Sequence, residues 1–227
     1  MKLGILFSGG KDSCYAMFKA MRDNEIKVLI SVISENKESY MFHVPNIELT
    51  KLQAEAMEIP LIQKETKGIK EEELEDLKKA ILEAKEKYAI EGIVTGAVES
   101  VYQSSRIQKI CDELGLKCIN PIWKINQEQL LRELVNNNFK IMISGFFAYP
   151  FDEKILGKVL DNGLIDELVR LSKERYQISP AGEGGEIETT VLDAPFFKMK
   201  INILDHEVKL DKNSGVYLIK KAELVEK

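Results

Sequence analysis

KLGILFSGGKDSCYAMF, residues 2–18, decides the fold. An apolar run (2–7) stops at Gly9 and Gly10, and Lys11, Asp12 and Ser13 lead straight into a helical pattern. Strand, glycine turn and helix in that order open a parallel α/β sheet. Gly9 and Gly10 permit positive φ and close backbone approach, while the following helix directs its positive end at the same place. The turn therefore suits an anion, with Lys11 adding a point charge and Ser8 and Ser13 adding hydroxyl donors.

Outward from this turn, short apolar runs alternate with helical patterns. KVLISVI (27–33), PLIQK (60–64), GIVTG (92–96) and KCINP (117–121) join the first run to predict five parallel strands with crossover helices, a Rossmann-like sheet. Cys14, Met17, Phe18 and Met21, and later Ile107, Ile110, Cys111 and Leu114, recur at helical spacing and are expected to face the sheet. EEELEDLKKAILEAKEKY (71–88) aligns Leu74, Leu77, Ile81, Ala84 and Tyr88, acidic early and basic late as the helix dipole favours. In NQEQLLREL, Asn126 and Gln129 open a helix that buries Leu130, Leu131, Leu134 and Val135.

The pattern changes near residue 140. KIMISGFFAYP (140–150) reads as a strand, LIDELVRLSKERY (164–176) as a helix, and KMKINILDHEVKLD (198–211) with GVYLIKKAEL (215–224) as later strands, His206 falling in a turn between two of them. The expected division is a domain over 1–140 that carries the glycine turn and a smaller α+β lobe over 141–227.

Composition narrows the function. A net charge of −5 with 30% charged residues argues against a general electrostatic grip on nucleic acid. The opening residues lack a signal-peptide core and no stretch reaches membrane-spanning length, so the expectation is a soluble, cytoplasmic chain without membrane contact. Cys14, Cys111 and Cys118 form no CxxC pair, which fits neither a disulfide framework nor a zinc site. The oligomeric state stays open, a homo-oligomer included.

The phosphate turn is not a Walker A loop, since Lys11 is followed by Asp12 and the glycine spacing fails, and G-x-G-x-x-G is absent. It resembles the SGGxDS loop of the PP-loop ATP pyrophosphatases, of the adenine nucleotide alpha-hydrolase-like fold. SYMFHVPN (39–46), GAVESVYQSSR (96–106) and GEGGEIETTVLDAPFF (182–197) narrow the resemblance to the diphthine–ammonia ligase family. Ile187 stands where that pattern leads one to expect an aromatic residue.

The resemblance implies ATP at Ser8, Gly9, Gly10, Lys11, Asp12 and Ser13, with His43, Gly96, Tyr102, Gln103 and Arg106 also toward the nucleotide, and Mg²⁺ as cofactor. Ser100 and Gln103 equally read as a capping box. It implies catalytic roles for Lys11, Arg106, Glu183, Glu186 and Glu188, the carboxylates holding ammonium, accepting its proton or neutralising a trimethylammonium group. The implied partner is elongation factor 2 carrying diphthine, with ammonium as nitrogen source because neither Cys111 nor Cys118 lies in a glycine-flanked nucleophile turn. Tyr102, Trp123, Phe146, Phe147 and Tyr149 offer aromatic faces for the cation. Eukaryotic relatives are expected to carry an additional C-terminal region, which implies an archaeal short form. A PP-loop tRNA-modifying enzyme and a non-catalytic ATP-binding sensor are the alternatives.

Overall fold

The chain begins as expected, with an apolar strand running into a glycine turn. In the computed structural model, which describes residues 1–36, 45–69, 71–174 and 178–227, it forms two compact units, Met1–Trp123 and Lys124–Lys227.

The N-terminal unit is a five-stranded parallel sheet of β1 (Lys2–Leu6), β2 (Glu25–Ser34), β3 (Leu61–Thr66), β4 (Gly92–Val94) and β5 (Lys117–Ile119), in the order β3-β2-β1-β4-β5. The five apolar runs are these strands. Crossovers α3 (Glu72–Tyr88) and α4 (Val101–Leu114) bury Leu77, Ile81, Ala84, Ile107, Ile110 and Cys111 against Val28, Ile30, Ile62 and Ile93. Leu114 and Tyr88 pack on the rim of this cluster. Each buried Leu or Ile contributes about 1.5–3 kcal/mol relative to exposure.

Helix α1 (Lys11–Ala20) departs from a simple two-faced pattern. Tyr15 and Ala16 are buried along with Cys14 and Met17, so the helix is enclosed on most sides. Phe18, expected to face the sheet, is half-buried and stacks on Tyr15, and Met21 at the C-cap is 37% exposed. The stripe thus ends one turn earlier than its spacing predicts. A further helix, α2 (Thr50–Met57), lies between β2 and β3 and buries Thr50, Gln53, Ala54, Ala56 and Met57.

The C-terminal unit is built on an antiparallel sheet of β6 (Lys140–Phe146), β7 (Ile187–Asp193), β8 (Lys200–Asp211) and β9 (Ser214–Val225), in the order β7-β6-β9-β8. Helices α5 (Gln127–Asn136) and α6 (Asn162–Lys173) pack together, and Arg132 bridges Glu128 and Asp166 at 2.8 and 2.7 Å. That pairing is why the chain divides at Trp123/Lys124 rather than near residue 140, α5 going with the second unit.

Two other readings change. β6 ends at Phe146, where the apolar run continues into a turn. His206 lies inside β8, not in a turn: it stacks on Tyr217 with ring centroids 4.3 Å apart and planes 6° from parallel, beside a register irregularity at Asp205/His206. The hairpin turn falls instead at Lys212–Asn213.

Leu77→Ala and Ile81→Ala are each expected to lower the unfolding free energy by about 2–5 kcal/mol. The check is a shifted urea midpoint at unchanged m value.

Candidate ATP and acidic-loop sites

β1 delivers its chain to the loop under tight backbone control. Phe7 donates to the Ile30 carbonyl at 2.8 Å and its own carbonyl accepts from the buried Ser31 hydroxyl at 2.5 Å. Gly9 then takes φ +77°, a conformation that favours glycine. A Cβ there would collide with Oε1 of Gln53, whose Nε2 donates to the Gly9 carbonyl at 3.0 Å. Ser8, Gly10 and Ser13 close the loop among themselves: Ser13 Oγ donates to the Gly10 carbonyl at 3.1 Å, and the Ser8 amide donates to Ser13 Oγ at 3.3 Å.

Gly10 is the N-cap of α1 and brings no side-chain cap to it. The first-turn amides of a helix lack intrahelical acceptors, so an N-terminus without a side-chain cap is the place for an anion. Lys11 is 4% exposed and donates to Asp12 Oδ2 at 2.7 Å, its charge held in the loop rather than projecting from it. The other oxygen, Asp12 Oδ1, is buried without a hydrogen-bond partner among the described residues. Such an atom calls for a donor or a cation.

Gly96 meets the loop from the end of β4. A Cβ there would lie 2.7 Å from the Ser13 amide nitrogen and 2.8 Å from the Asp12 carbonyl carbon, so the first turn of α1 rests on bare Cα. Just before it, Thr95 Oγ1 donates to Asn120 Oδ1 at 2.5 Å and accepts from the Ala97 amide at 3.2 Å, tying the carboxyl ends of β4 and β5.

Further along, Ser100 Oγ caps α4 by accepting from the Gln103 amide at 3.3 Å, one half of the capping box. Arg106 lies with its guanidinium 3.5 Å over the Tyr102 ring and donates through Nη2 to Glu71 at 3.1 Å; its Nε is buried and has no hydrogen-bond partner among the described residues. The structure thus brings Gly96 onto the loop and ties Arg106 to Tyr102 and Glu71. His43 lies outside the described residues.

A cavity of about 330 Å³ opens at the ends of β2 and β3, lined by Glu35, Glu65, Thr66, Lys67, Glu72 and Asp76. Lys79 and Thr66 hold the Asp76 carboxyl below its ordinary range by hydrogen bonding. So acidic a lining disfavours phosphate.

In the C-terminal unit the acidic stretch is an ordered turn. Gly182 and Gly185 take φ of +78° and +81°, and Gly185 donates to the Gly182 carbonyl at 2.9 Å. Glu186 folds back to accept from the amides of Ser179 at 2.8 Å and Gly184 at 2.9 Å, one through each oxygen. Its carboxylate is the clasp of the turn. Ala181 donates to Gln127 of α5 at 3.1 Å, and Glu188 sits in β7 opposite Gly145. Glu183, Glu186 and Glu188 are all half-buried, so this is not a solvated charge run.

Gln53 is the residue that sequence patterning misses. Its signal, a glutamine among small apolar residues in TKLQAEAM, is faint because a helix face of alanines carries little hydrophobic contrast.

Comparison with known proteins agrees in both units. The family model described as the diphthamide synthase N-terminal domain matches residues 1–118, and the diphthamide synthase C-terminal domain matches residues 126–225. Diphthine–ammonia ligase of Homo sapiens is 37% identical, covering 92% of this chain and 85% of its own. That of Schizosaccharomyces pombe is 32% identical over 95% of this chain but only 38% of its own. The extra length expected of eukaryotic relatives is thus large in the yeast protein and small in the human one, and does not mark this chain as archaeal. A solved chain described as a predicted subunit of tRNA methyltransferase from Methanocaldococcus jannaschii aligns over 86% of this chain and 98% of that one, at 19% identity and a TM-score of 0.44, too loosely to bear on function. With both of its units matched, the chain belongs to the diphthamide synthase family, whose curated relatives are C–N bond-forming ligases.

Proposed function

We propose that this chain amidates the carboxylate of diphthine on elongation factor 2, consuming ATP and ammonium and releasing AMP and pyrophosphate. The observation that carries the reading is the N-terminus of α1, without a side-chain cap behind Gly9 and Gly10, in a family of diphthine–ammonia ligases. An elongation-factor substrate places the reaction in the cytoplasm.

In this reading a carboxylate oxygen of diphthine attacks the α-phosphorus of ATP, the bond to pyrophosphate breaks, and an acyl-adenylate forms. Ammonium gives one proton to a base, the resulting ammonia adds to the acyl carbon, AMP leaves with the bonding electrons, and the added nitrogen gives up a second proton to leave the amide. The backbone amides of Gly10 to Asp12 hold the departing pyrophosphate, and Lys11 and Arg106 stabilise the charge it gathers. Glu183 and Glu188 supply negative charge for two cations, ammonium and the substrate's trimethylammonium. Glu186 shapes the turn that carries them.

Asp12 fits a divalent cation. Among the described residues no three His, Cys, Asp or Glu side chains are grouped to hold a metal by themselves, and Mg²⁺ ordinarily takes one or two carboxylates plus substrate phosphates. The buried Asp12 Oδ1, without a hydrogen-bond partner among the described residues, would serve as such a ligand. Bound there, Mg²⁺ would supply positive charge to the phosphates.

Cys14, on the first turn of α1, disfavours a sulfur-transferring tRNA enzyme. Burial first, and then the Asp12 charge, push its thiol well above the ordinary range. It is held as a neutral core group.

Incubation with ATP, Mg²⁺, ammonium and diphthine-bearing elongation factor 2 is expected to yield AMP and the mass change from carboxylate to amide, both lost when the factor is omitted. ATP binding with neither signal would return the chain to a sensor role. Gln53→Leu, which removes the donor to Gly9, is expected to raise KM for ATP about tenfold, the equivalent of a net hydrogen bond of about 1.4 kcal/mol. Gly96→Ala pushes on the backbone of α1 and is expected to raise it further; ATP-dependent shifts in melting temperature provide a second readout for both.

A further inference from the structure

A quaternary ammonium has no N–H to donate. It is recognised by negative charge and by the faces of aromatic rings. A carboxylate already engaged in hydrogen bonds keeps its charge and serves such a cation as well as any other. Its binding place should therefore be an exposed ring beside a carboxylate.

Of the aromatic residues near the end of β6, Phe146 is only 5% exposed and belongs to the core. Phe147 is 40% exposed and Tyr149 is 68% exposed, although both follow a buried strand. Phe147 is held firmly for so exposed a residue. Its amide donates to the Glu186 carbonyl at 2.9 Å, which fixes it to the acidic turn.

Its ring lies across Gly145. The position a Gly145 Cβ would take is 2.8 Å from Phe147 Cε2, 3.1 Å from Cζ and 3.3 Å from the Cβ of Glu188. Ring and carboxylate stem therefore flank one point on one side of the sheet. Gly145 pairs with Glu188 in the ladder, next to a register irregularity between Ile143 and Gly145. Bulges of this kind re-aim side chains and cluster beside sites. The intervening Ser144 is fully buried, its hydroxyl without a partner among the described residues, a further mark of a strand shaped for something other than regular pairing.

We propose that Phe147 and Glu188, set side by side over the bare Cα of Gly145, bind the trimethylammonium group of the substrate. The assignment rests on the amidation reading above, which supplies that cation. The three carboxylates then differ in role, Glu186 holding the turn, Glu188 facing the fixed cation, and Glu183 being left to the ammonium.

The experiment uses the full chain with diphthine-bearing elongation factor 2 and tetramethylammonium chloride as probe, against potassium chloride at equal ionic strength. Tetramethylammonium is expected to inhibit the wild type competitively with the factor. Phe147→Leu, which keeps apolar bulk but loses the ring, is expected to raise KM for the factor about tenfold with kcat changed less than twofold, KM for ATP unmoved and tetramethylammonium inhibition lost. Phe147→Trp is expected to restore both the KM for the factor and the inhibition. Inhibition no stronger than the salt control, or equal in wild type and Phe147→Leu, overturns this inference alone. A wild type that forms no AMP with the factor overturns the amidation reading and this inference with it.

Discussion

A single peptide plane, that between Gly9 and Gly10, sets the geometry of the loop that opens α1. With the Gly9 carbonyl fixed on Gln53, the trans geometry of the peptide turns the Gly10 amide the other way, toward the inside of the loop. Helix α1 begins from that orientation, and Gly96 lets its first turn settle against the end of β4. Three distant segments thus fix the loop proposed to hold the anion: a buried glutamine, a positive-φ glycine and a glycine with no room for Cβ. None of them is charged. The charged member, Lys11, is paired within the loop with Asp12, so in the proposed site the first attraction for phosphate comes from oriented amides.

Much of this was legible in the sequence because parallel strands buried on both faces read as apolar runs, as β1, β2 and β4 do. The α4 stripe was equally clear, since Ile107, Ile110, Cys111 and Leu114 are large enough to mark a face. What escaped lacked such contrast. α2 buries alanines, a threonine and a glutamine, so its periodicity is weak, and Gln53 acts through a contact 44 residues away in sequence that no local pattern shows. α1 is enclosed on most sides, which removes the polar face from which its period would be counted. His206 misleads for the opposite reason: the flanking Asp205 and Glu207 look like a turn, whereas an exposed hairpin tolerates charge along a strand. The loop glycines and the acidic stretch were visible, but the division of work within that stretch was not.

Three glutamates within six residues read alike in a sequence. In the fold they differ by what touches them. Glu186 accepts one amide with each oxygen, across a turn whose glycines at 182 and 185 have positive φ. Exchanging it for glutamine would put an NH₂ group against a backbone donor, breaking the turn as well as removing a charge. A lost activity there would say little about proton transfer. In the proposed reaction the chemistry is better sought at Glu183 and Glu188, which do not supply these two contacts.

The two cations of the proposed reaction make different demands, which the proposed assignment meets with different residues of the C-terminal unit. Ammonium must be held by acceptors and must lose a proton before it can attack, which requires a carboxylate at hydrogen-bond reach. Trimethylammonium can neither donate nor lose a proton, so a second carboxylate that binds it competes for nothing in the first process. Placing a ring beside that second carboxylate also raises selectivity, since a small hydrated ammonium gains little from an exposed aromatic face while a bulky, weakly hydrated one covers it. Phe147 stands at Glu188, over Gly145, and its backbone is bound to the turn that Glu186 closes. Loosening that turn would release the amide contact that anchors Phe147, so in the proposed assignment substrate selectivity depends on the clasp.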